Sequence, residues 1–116
     1  MSGIAWSQAV EIPSGYTLIR GQYLPNGRSG GGIEIQVDSL TNPTKGYLTK
    51  NTSACVVKKA EVPLRKIENG FSVDADLGGQ CRMSNYTFIG PDKGGNFTGS
   101  YGSWAGAGSL SLTVQK

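Results

Sequence analysis

The chain contains no histidine. That absence removes the Ser-His-Asp and Cys-His nucleophile pairs, the two-histidine zinc sites and the imidazole pH switch. Charge is scarce too. Asp, Glu, Lys and Arg make up 16% of the residues, against about a quarter in ordinary globular domains, so the polar surface has to come from Ser, Thr, Asn and Gln. Disorder driven by charge repulsion is not expected from such a composition. Hydrophobic residues reach only 37%, and no apolar run approaches the roughly 18 residues of a membrane span. Helical patterning is missing as well: no window carries apolar residues at i, i+3, i+4 and i+7 without a glycine or proline among them.

What the chain has instead is glycine, 18 of 116 residues, without the strict three-residue period of collagen. The length is that of one ordinary domain, so residues 1–116 are read as a single unit. Period-two alternation dominates. Ile33, Ile35 and Val37 alternate with Glu34, Gln36 and Asp38, and Leu110, Leu112 and Val114 alternate with Ser109, Ser111, Thr113 and Gln115. Both patterns describe half-buried antiparallel strands.

Further strands are expected over 5–11, 16–23, 47–49, 54–59, 61–67, 71–75, 81–89 and 97–103. Pro63 marks an edge strand or a bulge, and Asn69-Gly70 predicts a type I′ hairpin with both central residues at positive φ. The expected fold is all-β: a single antiparallel β-sandwich or small barrel of about eight to ten short strands.

The formal net charge of +3 comes from 11 basic and 8 acidic residues, a modest excess. Lys58, Lys59, Arg65 and Lys66 form the densest basic stretch, but Glu61 and Glu68 interrupt it and no aromatic lies between Cys55 and Phe71. A nucleic-acid groove needs more aromatic interleaving than that, so no nucleic-acid partner is expected. Cys55 and Cys81 both fall in strand-like segments and lack a C-x-x-C spacing. They are expected to form a disulfide Cys55–Cys81, which a thin-cored, glycine-rich domain needs most; a loop of this size contributes roughly 3–4 kcal/mol. The alternative is a pair of buried free thiols in a cytoplasmic protein. The disulfide reading goes with an extracellular or cell-surface mature domain, since residues 1–6 lack a basic segment followed by an apolar one.

The most distinctive stretch runs from Gly90-Pro91-Asp92-Lys93-Gly94-Gly95-Asn96 to Tyr101-Gly102-Ser103-Trp104-Ala105-Gly106-Ala107-Gly108. Exposed aromatic planes stack on the C–H faces of sugar rings, while Asn and Asp side chains bond hydroxyls. Trp104, Tyr101, Asn96 and Asp92 are therefore the candidate ligand-binding residues, with Trp104 as a core plug the competing reading. Asp74-x-Asp76-x-Gly78 lacks the remaining ligands of a calcium loop, and 27–32 lacks the Gly-Lys-Ser/Thr ending and helix of a phosphate cradle. No metal, cofactor or catalytic residue is assigned: the carboxylates show no spacing that singles out a glycosidase pair. Asn51, Asn85 and Asn96 open N-x-S/T triplets, usable only in a eukaryotic secretory pathway.

Over its final 25 or so residues, the Ser/Thr-alternating last strand after a Gly-aromatic loop is broadly similar to secreted bacterial lectins and to pilus or adhesin subunits. It departs from the calcium-dependent lectins in having Gly, Ser and Ala around Trp104 where they carry acidic residues and asparagine. The expected function is a non-enzymatic secreted or cell-surface module that binds a glycan or a cell-surface protein, with oligomers allowed. The alternatives are a structural subunit of a surface assembly, or a small secreted inhibitor or effector acting through 27–32.

Overall fold

The structure is a computed structural model that describes residues 14–24, 30–52, 56–75, 84–103 and 106–115. The strand expected over 5–11, both cysteines and hence the Cys55–Cys81 pairing, Asp76 through Gly78, residues 27–29 of the 27–32 loop, and Trp104 lie outside the described residues.

Within them the chain forms nine strands and no helix: β1 (Thr17–Leu24), β2 (Gly31–Val37), β3 (Lys45–Thr52), β4 (Val56–Pro63), β5 (Arg65–Ile67), β6 (Gly70–Ala75), β7 (Ser84–Ile89), β8 (Asn96–Ser103) and β9 (Gly106–Val114). They join in one antiparallel sheet of order β4-β3-β2-β1-β9-β8-β7-β6-β5. Every sequence neighbour in the list pairs except β4 with β5, and the last strand returns to pair with the first, Gly21 facing Leu112 and Tyr23 facing Leu110. The two ends of the sheet, β4 and β5, are separated in the chain only by Leu64, whose N–H bonds the Thr44 carbonyl. One long run of chain thus lends its first part to one edge of the sheet and its second to the other. The result is a nearly closed barrel rather than a sandwich of two separate sheets.

Alternation decides the interior. Ile19, Ile33, Ile35, Val37, Leu48, Val62, Phe71, Val73, Phe88, Phe97, Leu110 and Leu112 are all buried in one cluster. Phe71 and Phe88 face each other across β6 and β7 with ring centroids 4.8 Å apart, and Phe97 meets Phe71 edge-on. On β4 the alternation breaks: Val57 and Val62 are both buried though an odd number of residues apart. Lys58 and Lys59 together face the single residue Thr49, with Lys59 at φ 146°. This β-bulge reverses the faces of the strand. Pro63 sits on the same edge strand, the position its missing N–H requires.

The Asn69-Gly70 hairpin forms with a different register from the expected one. Its central residues are Glu68 and Asn69, of which only Asn69 takes a positive φ, 64°, and Gly70 is already paired with Ile67 and Ile89. A type I′ turn is thereby excluded. Gly70 serves close strand approach instead, because a Cβ there would run into the Phe88 carbonyl oxygen.

Candidate functional site

Of the four residues expected to share one ligand site, three are described, and Tyr101 does not join Asp92 and Asn96. Trp104 is outside the described residues. Asn96 and Tyr101 lie five residues apart on β8, about 17 Å along a strand, and an odd separation puts them on opposite faces. Asn96 is exposed, whereas Tyr101 is buried with its ring edge-on to Tyr23 at 4.8 Å. Tyr101 is therefore an interior residue and not a solvent-facing stacking platform. Gly108 makes its seat: a Cβ there would fall 2.7 Å from the Tyr101 ring and 2.8 Å from its hydroxyl.

Asp92 and Asn96 do meet, in a locked turn at the other end of the barrel. Asp92 Oδ1 accepts from the Gly94 and Asn96 N–H groups, both at 2.9 Å, and Asn96 Nδ2 donates to Oδ2 at 3.4 Å. Thr113 Oγ1 donates to Asn96 Oδ1 at 3.0 Å. The Asn96 N–H above all holds the Asp92 carboxyl below the usual carboxylate range.

Around this turn Asn69, Ile89, Pro91, Asp92, Asn96 and Thr98 line a shallow open depression of about 380 Å³, near the lower end of the range for small-ligand pockets. Ile89, 39% exposed, supplies apolar surface among the amides and hydroxyls.

The depression opens onto the outer face of β7, β8 and β9. Ile89, Thr98 and Ser111 form one cross-strand row there, and Thr87, Ser100 and Ser109 the next. With Asn85, Ala107 and Thr113, these residues present hydroxyl, amide and aliphatic groups, and among the described residues no charged side chain stands on this face of the three strands. Rows of hydroxyls spaced by the strand separation, about 4.8 Å, can bond successive polar groups of an uncharged ligand.

A residue that sequence reasoning missed occupies the interior near the opposite end. On β3, Gly46, Leu48 and Lys50 share the inward face, and Lys50 is only 2% exposed. Its Nζ lies 4.8 Å from the ring centroid of Tyr23, 4.9 Å from that of Tyr101 and 5.3 Å from that of Tyr86, and it donates to the Tyr86 hydroxyl at 3.4 Å. Among the described residues no carboxylate pairs with it; the ion pair of Arg20 with Glu34, at 2.9 Å, lies outside the barrel. Burial pushes the Lys50 amine down to about 8. Burial first, then neighbouring Tyr23 and Tyr86, raises the Tyr101 phenol. Desolvating an ammonium costs several kcal/mol, and each desolvated cation–π contact returns about 2 kcal/mol. The sequence signal was available: once β3 is extended past Thr49, the alternation that buries Leu48 also buries Lys50.

No family model, curated protein or solved structure matches the chain.

Proposed function

We propose that the chain is a non-enzymatic binding module of the extracellular space or cell surface that recognises a neutral glycan along the outer face of β7–β9 and its adjoining depression. One observation carries this reading: three adjacent strands expose Ser, Thr and Asn with a single Ile and Ala107 as the aliphatic side chains, and no charge stands among the described residues of that face. Soluble surfaces ordinarily mix both signs of charge. A neutral polyol needs donors and acceptors in rows with small apolar patches between them, and Thr98, Ser100, Ser111 and Ile89 offer that chemistry. A surface subunit that assembles by strand exchange has less support, because the β4 edge carries the Lys58–Lys59 bulge and Pro63, both of which discourage strand addition.

The test is a glycan array probed with the wild type and with Thr98→Lys and Ser100→Lys variants. Both positions are exposed, so the substitutions leave stability within about 0.5 kcal/mol. Binding by the wild type that falls at least tenfold in both variants is expected. An empty array, or undiminished binding by both variants, overturns the reading.

A further inference from the structure

The depression at the end of the hydroxyl rows has a more particular chemistry than the rows themselves. Ile89 and the exposed Pro91 both line it, and Ile89 is 39% exposed, so apolar surface stands there among polar groups. The same depression holds an acceptor and donors. Asp92 Oδ2 receives a long bond from Asn96 Nδ2, 3.4 Å, and a carboxylate oxygen accepts more than one. Asn96 gives one amide hydrogen to that bond, and an amide carries two. Asn69 brings another amide from the turn between β5 and β6. The backbone that carries these groups is tied down: the Gly90 N–H bonds the Asn69 carbonyl at 2.8 Å and the Asp92 N–H bonds the Asn96 carbonyl at 3.0 Å. A frame fixed in advance has little freedom left to lose on binding.

Resting on the glycan reading, we propose that this depression selects sugars that carry an acetamido group, the N-acetylhexosamines. An acetamido group has one N–H donor, one carbonyl acceptor and one methyl. Asp92 Oδ2 accepts from the N–H, the Asn69 or Asn96 amide donates to the carbonyl, and the methyl covers Ile89 and Pro91. A plain hydroxyl at the same ring carbon leaves that apolar surface wet. At about 380 Å³ the depression has room for one sugar unit. Acidic sugars are disfavoured by the Asp92 carboxylate, which its hydrogen bonds, that from the Asn96 N–H above all, keep ionised.

The experiment titrates the protein calorimetrically with chitotetraose and cellotetraose, which differ only in an acetamido group against a hydroxyl on each ring, and places both on the glycan array. Chitotetraose is expected to bind about tenfold or more tighter, the gain from one covered methyl and one net hydrogen bond. Ile89→Ser, a change at an exposed position, should weaken chitotetraose several-fold and leave cellotetraose unchanged. Equal affinity for the two tetramers, or an array on which glycans without acetamido groups bind as tightly as those with them, overturns the acetamido site and leaves the glycan face standing. An empty array overturns both. A preference for chitotetraose that Ile89→Ser does not reduce overturns the seat given to the methyl.

Discussion

The two ends of the barrel handle charge in opposite ways. At one end, carboxylates sit in turns and are met by backbone donors: Asp38 Oδ1 accepts from the Thr44 N–H at 3.0 Å and the Lys45 N–H at 3.3 Å, the Thr44 hydroxyl bonds Oδ2, and Asp92 is held in the same manner. At the other end a cation lies inside the wall, held by ring faces and one hydroxyl. For Asp38 the cost of burial is the largest influence on its carboxyl, yet the bonds from Thr44 and Lys45 together outweigh it and leave the pKa below the usual value. For Lys50 burial wins and the pKa falls to about 8. Backbone N–H groups aimed at an exposed anion stabilise the charged form, whereas π faces around a desolvated cation only partly offset its loss of water. The turn end is thus built for stability, and the cage keeps a charge that stability alone would discard.

Three variants separate the ends, beginning with the largest effect. Lys50→Glu puts an anion against the negative ring faces without a partner, and should destabilise the barrel by about 3–5 kcal/mol in urea titration; a smaller loss would mean that the cage opens to water.

Lys50→Met removes the buried charge while keeping the volume, and is expected to raise stability by about 1–3 kcal/mol. Its pH profile is the sharper observation. In the wild type the Lys50 pKa is about 8 when folded and about 10.4 when unfolded, so between these values the unfolded chain holds more protons and stability rises with pH. Tyr101 acts in the other direction above about pH 10, because its raised phenol pKa lets the unfolded chain lose that proton first. The rise should therefore run from about pH 8 to 10 and be absent in Lys50→Met.

Asp38→Ala has the smallest effect, lowering Tm by about 2–5 °C near pH 7. The Asp38 pKa is depressed on folding, so its contribution is present above the unfolded value of about 3.9 and is lost as pH falls through the lower, folded value. The difference between wild type and Asp38→Ala should therefore shrink in acid, and a difference that stays constant to pH 2 would remove the charge from the explanation.

Much of the wall was legible residue by residue. The alternation of Ile33, Ile35 and Val37 and that of Leu110 and Leu112 place those strands and their buried faces correctly. Pro63 announced an edge. The Asn69-Gly70 pair announced a hairpin but not its register, because Gly70 is required by the Phe88 carbonyl on β7, a neighbour that no local pattern reveals. The expected site grouped Asp92, Asn96 and Tyr101 by nearness in the chain. Their separation was nevertheless readable, since five residues along one strand reverse the face.

The sequence by itself determined an all-β chain, the faces of its clearest strands and the absence of histidine chemistry, because these depend on side-chain type and a two-residue period. Only the tertiary structure decided that the sheet curls until β4 and β5 meet at Leu64, and that Tyr23, Lys50, Tyr86 and Tyr101 converge. Those four residues come from four strands spread along the chain, and their meeting depends on cross-strand register and barrel closure, both of which are set by pairing between distant segments.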